Sequence, residues 1–86
     1  DLEKAFFYFQ KALEFSPDEP AIQYKIAEVL VKANQAEKAM PYASKAAELD
    51  GENKYYTLML AEIYTNLKQP MKAAEILENL TKNSTV

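Results

Sequence analysis

The chain has no cysteine, no histidine and a single glycine among its 86 residues. The missing cysteines exclude disulfides and thiolate chemistry, and fit any redox compartment. There is no histidine or cysteine to serve as nucleophile, general base or zinc ligand. No glycine-rich loop is present to cradle a phosphate. Carboxylates are plentiful, but none forms a metal-spaced cluster outside ordinary helix-surface patterns. Ten basic against 13 acidic residues leave a net charge of −3 and a pI near 4.9. A nucleic-acid partner needs the opposite balance, a basic face that displaces counterions from phosphates. No apolar run reaches the roughly 20 residues that cross a bilayer, so membrane insertion is not expected. These absences predict no catalytic residue, no cofactor and no metal.

What is present points to helices. Apolar residues make up 49% of the chain, which suits a folded domain, and its length fits one domain near the lower limit of independent folding. Alanine, leucine, glutamate and lysine, which lose little on entering a helix, fill the spaces between the four prolines. Sheets require more turn chemistry than one glycine provides. The class is all-α. The chain opens at Asp1 directly in helical sequence, as an excised piece of a longer protein would, so the missing leader says nothing of compartment.

Periodicity and end signals predict five helices. The first runs from Leu2 to Phe15, with Leu2, Phe6, Phe9 and Leu13 at helical spacing, and ends at Ser16-Pro17. Pro20 opens the second, which continues to about Ala33 with Ile22, Ile26, Val29 and Leu30 on one face. After an Asn34-Gln35 corner the third spans Ala36 to Leu49, and Gly51 offers a left-handed cap beyond it. Asn53 caps the fourth, which ends near Leu67; Lys68-Gln69 turns the chain, and Pro70 opens a fifth that frays near Asn83. Pro41 lies inside the third helix, where it deletes a hydrogen bond to Glu37 and predicts a kink rather than a break.

The chain also matches itself at an offset of 34 residues. Glu3-Lys4-Ala5 aligns with Glu37-Lys38-Ala39, and Lys38-Ala39 with Lys72-Ala73. Tyr8, Lys11, Ala12 and Glu14 align with Tyr42, Lys45, Ala46 and Glu48. Ile26, Ala27, Glu28 and Leu30 align with Leu60, Ala61, Glu62 and Tyr64, all without a gap. Recurring small residues at Ala27, Ala39, Ala61 and Ala73 suit close approach of paired helices, with Ile26, Leu30, Leu60 and Tyr64 filling the flanks.

On these residues the chain resembles the tetratricopeptide repeat family, whose unit is a helix pair of this length. Ala27 and Ala61 match its small residue midway along the first helix, and Leu30 and Tyr64 the large residue three positions on. Ala5, Ala39 and Ala73 match the alanine early in the second helix, and Ala12 and Ala46 the alanine seven further; Leu80 departs. Pro17 matches the closing proline, where Gly51 and Thr85 depart, and Gln23 and Thr57 stand at the tryptophan-like position. The resemblance implies a right-handed α-solenoid of about two and a half repeats. Residues 1–19 would be the second half of a truncated repeat, 20–53 a full repeat, and 54–86 a full or nearly full one.

The resemblance implies a protein-interaction module that takes a peptide or helical segment of a partner in a concave groove. The first helix of each pair lines that groove. The expected partner-binding residues are Tyr24, Lys25, Glu28 and Lys32, then Tyr55, Met59, Glu62 and Asn66, with Ala21, Leu58 and Thr65 beside them. Tyrosine and methionine suit recognition, although Tyr24 and Tyr55 would equally cover a neighbouring repeat, and the charges would form ordinary surface ion pairs. Some family members clamp a partner's C-terminal carboxylate with lysine, asparagine and arginine. That set is missing here, and Glu28 and Glu62 stand where the clamp favours asparagine. RNA-binding helical repeats have a similar period, but the acidic balance and the lack of a basic inner stripe argue against that class. The alternative is a self-assembly element, a homodimer formed through the phenylalanine-rich first helix with Phe6, Phe7 and Phe9, although these rings would in part pack against the second helix instead. Asn79-Leu80-Thr81 and Asn83-Ser84-Thr85 read as glycosylation acceptors, a pattern that arises readily by chance.

Overall fold

A computed structural model describes residues 1–84, and side chains as far as residue 80. Thr85 therefore lies outside the described residues, as do the side chains of both acceptor triplets beyond Leu80. Five helices follow one another: α1 (Leu2–Phe15), α2 (Pro20–Lys32), α3 (Ala36–Leu49), α4 (Lys54–Asn66) and α5 (Pro70–Ser84). There is no strand among the described residues.

Each helix begins and ends for a local reason. Asp1 caps α1 by accepting from the Glu3 N–H at 3.0 Å, and Asn53 caps α4 by accepting from Tyr55 N–H at 2.9 Å. Pro20 starts α2 at a position whose N–H would be unpaired in any case. α3 runs unbroken through Pro41. Packing on both sides outweighs the lost hydrogen bond, because α3 lies against α2 and α4.

The turns repeat the period of the sequence in their hydrogen bonds. After α2, N–H groups of Ala33, Asn34 and Gln35 donate to carbonyls of Val29, Val31 and Leu30 at 3.0, 3.0 and 2.8 Å. After α4, Leu67, Lys68 and Gln69 donate to Ile63, Thr65 and Tyr64 at 2.9, 3.0 and 2.8 Å. Both turns pass through a left-handed residue, Asn34 at φ 61° and Lys68 at φ 62°. A return of the backbone N–H to the carbonyl five residues back is the bond that such a residue makes possible. The longer connections also correspond: Ser16 and Asp50 donate to Ala12 and Ala46, and Glu19 and Asn53 to Ser16 and Asp50, all at 3.0–3.2 Å.

Gly51 departs from expectation. Gly51 does not have positive φ, and α3 ends at Asp50 with φ −141°, ψ 78°. Left-handed geometry belongs to the tight turns inside each pair, where the chain must reverse within three residues. The looser connection between pairs does not require it.

The core is narrow and rich in alanine. Ile26, Ala27 and Leu30 of α2, Ala39 and Ala43 of α3, and Met59 and Ile63 of α4 form its centre. Ala39, Ala43 and Ala46 lie along one buried stripe of α3 and are wholly inaccessible. With no side chain beyond Cβ they let α2 and α4 press against the α3 backbone. Ile26 and Ile63 are the large side chains fully enclosed there. Gln23, at the tryptophan-like position, is buried, and its amide donates to the Pro17 carbonyl at 3.4 Å, tying the connection to α2. No described buried side-chain polar atom is left without a partner. The molecule is a slab of 39 × 26 × 16 Å.

Candidate functional site

α2 and α4 meet in a limited contact, and Tyr24 lies at this seam. Its ring meets that of Tyr56 with centroids 5.2 Å apart at 43°. Tyr24 is half-buried, and Glu28 one turn further on is half-buried too. The Tyr24 hydroxyl is held above its ordinary pKa, first by burial and then by the negative charges of Glu28 and of Glu62 across the seam, against an opposing Lys25. Carboxylates from equivalent positions of successive pairs therefore both favour the protonated phenol.

The remaining expected residues divide. Lys25 reaches Glu28 at 3.5 Å in a largely exposed pair, and Lys32, Glu62 and Asn66 are exposed. Tyr55 stands 63% exposed with Leu58 at 39%, one turn apart on α4. Met59 corrects the expectation. It is 7% exposed and belongs to the core rather than to an open face. Tyr56, Met59 and Ile63 form one buried stripe of α4 that packs towards α2 and α3. Lys25, the counterpart of Met59, sits on α2, against whose preceding side only α1 is described, and it stays in solvent.

α1 contributes both inward and outward aromatics. Phe6 and Phe9 are half-buried against the core, Phe6 meeting Tyr42 edge-on at 6.4 Å. Phe7, Tyr8 and Phe15 are exposed by 62%, 69% and 88%, with the Lys11 amine 5.5 Å over the Phe7 ring. Phe7 is thus uncovered, whereas Phe6 and Phe9 are partly taken up by the fold.

One feature escaped the sequence reading. A depression of about 410 Å³ lies where α1, the end of α2 and α3 meet, lined by Leu2, Phe6, Leu30, Ala33, Pro41 and Tyr42. In the next pair the corresponding positions carry Tyr64 and Leu67 in place of Leu30 and Ala33. That size difference between aligned residues was the available signal.

The described residues contain no metal-capable cluster of acidic side chains, and no helix is long and apolar enough to cross a membrane. Residues 1–80 match the family model described as anaphase-promoting complex, cyclosome, subunit 3. The tetratricopeptide repeat protein 21B of Xenopus laevis is 32% identical over 76 residues, which is 88% of this chain. The chain spans 6% of that protein's length. Repeats of this type generally mediate contacts between proteins and are typically non-catalytic. With five antiparallel helices, turns that recur in register and matches over nearly its whole length, the chain belongs to this family of tetratricopeptide-type helical repeats.

Proposed function

We propose that the chain is a protein-interaction module that receives a peptide or helical segment along the face formed by α2 and α4. Its array would divide into a half repeat at 1–19 and pairs at 20–53 and 54–86. The observation that supports this most is the exposure of Tyr55 and Leu58, one turn apart on α4. Large side chains left in solvent suit recognition. The test is to select binding peptides from a random displayed library on the wild-type chain and measure them on the double variant Tyr55→Ala, Leu58→Ala. Affinity should fall at least tenfold while the helical circular dichroism is kept. Unchanged affinity would move the site elsewhere. Met59 is unsuitable for this test, since its truncation would act through the core.

A second reading, self-association through α1, is favoured by the outward Phe7, Tyr8 and Phe15. Sedimentation of the chain at rising concentration tests it. A monomer throughout the micromolar range would eliminate it.

A further inference from the structure

We propose that the depression between α1 and α3 is a socket for a tyrosine side chain of a partner protein, held with its ring beneath the Lys38 amine. It shares none of the residues assigned to the α2–α4 face and does not depend on that reading. Three polar groups stand at its rim, Glu3, Gln35 and Lys38. An offset of 34 residues brings the same three types, Glu37, Gln69 and Lys72, to the next pair. There the chain supplies its own phenol: Tyr64 is half-buried, and the Lys72 amine lies 5.6 Å from its ring centroid. In the first pair Leu30 and Ala33 stand where the second has Tyr64 and Leu67. The lysine recurs and the ring does not.

The space of about 410 Å³ falls in the range of about 300–1,000 Å³ that receives compact ligands. Val29 and Leu30 give it a buried apolar floor, and Phe6 and Tyr42, edge-on at 6.4 Å, give it an aromatic wall. Lys38 is exposed, and among the described residues it has no ion pair and lies over no ring. The charges of host and guest are complementary. The negative face of a phenol suits the Lys38 ammonium, and Glu3 and Gln35 offer acceptors for its hydroxyl. An aliphatic guest would cover the floor but leave the ammonium without a ring.

The experiment titrates p-cresol, the tyrosine side chain as a free molecule, into the isotope-labelled 86-residue chain and follows its amide resonances. Shifts should centre on Leu30, Ala33 and Lys38. The saturated analogue 4-methylcyclohexanol, similar in shape, should bind about two- to fivefold more weakly, the worth of an exposed contact between a cation and a ring. Lys38→Met should make the two probes equal. Leu30→Tyr with Ala33→Leu, which gives the first pair the residues of the second, should abolish binding at the site; Ala33→Leu alone serves if the double variant loses its helical circular dichroism. Displayed peptides selected on the wild-type chain and counter-selected on the filled variant should share a tyrosine whose replacement by alanine weakens binding at least tenfold. Shifts centred elsewhere, equal binding of the two probes to the wild-type chain, or selected peptides with no shared aromatic would each overturn the socket. So would probe-free shifts of Leu30 and Ala33 that grow with protein concentration and vanish in Phe7→Ser, Phe15→Ser, since the occupant would then be a second copy.

Discussion

The paired left-handed turns offer a stability test with a sign that helix propensity would get wrong. Asn34 and Lys68 have almost the same backbone, at φ 61° and 62°, and the same hydrogen-bond set around them. For a residue with a Cβ this conformation costs about 1–2 kcal/mol, whereas glycine adopts it freely. Asparagine is among the few other residues that tolerate it, so Lys68 carries the larger cost. Replacing Lys68 with glycine removes that cost and adds unfolded-chain entropy of about 0.5–1 kcal/mol. The net expected gain is about 0.5–1 kcal/mol. Because Lys68 also brings a charge to the end of α4, Lys68→Ala is the proper reference, and the glycine variant should exceed it by about that amount. Asn34→Gly should gain only a few tenths. Urea unfolding followed by helical circular dichroism measures this as a higher midpoint at unchanged slope. In a domain of this size the gain raises the melting temperature by about 2–8 °C. A glycine variant less stable than the alanine variant would refute the turn geometry, since that is the order expected inside a helix.

The other expectations concern the core and pH. Ile63→Ala, at one of the enclosed large side chains, should cost about 2–5 kcal/mol. That is much of the total stability of so small a domain, and denaturant titration should show partial unfolding at ambient temperature. Ala43→Leu should also destabilise, by about 1–3 kcal/mol or more, because α3 has no room beyond its Cβ there. An Ala43→Ser control keeps the volume close and should cost less. For Tyr24 the raised pKa favours the protonated phenol in the folded state. Stability from this group is therefore complete below the ordinary tyrosine value of 10.0 and is lost as pH rises through the folded value. Ultraviolet titration should show a late-ionising tyrosine component, and Tyr24→Phe should remove it.

The elements were readable in the sequence because their causes are local. Pro20 and Pro70 at helix starts, Asn53 as a cap and Asn34 and Lys68 at the reversals each act within a few residues of themselves. The alanine stripe of α3 was legible for a different reason: the offset of 34 residues put Ala39 in phase with Ala5 and Ala73. What single-helix spacing cannot give is the neighbour. Lys25 and Met59 are equivalent in register, yet one is solvated and the other buried, because α4 packs on α2 and α3 while the matching side of α2 meets only α1. The left-handed cap was expected at Gly51 on residue type alone, whereas the demand for it came from turn length. Of the face, Tyr24, Glu28 and Glu62 were named individually. The contact of Tyr24 with Tyr56 depends on how α2 and α4 lie together, which no one-dimensional pattern encodes.

Each helix in the described part of the chain touches only those one or two places away in order. The consequence concerns how such a molecule fails. With no contact joining its first and last helices, damage at one seam is felt by adjoining rungs and fades beyond them. Hydrogen exchange should accordingly be graded along the chain, slowest at α3 where neighbours press from both sides, so that loss of order travels inward from an end.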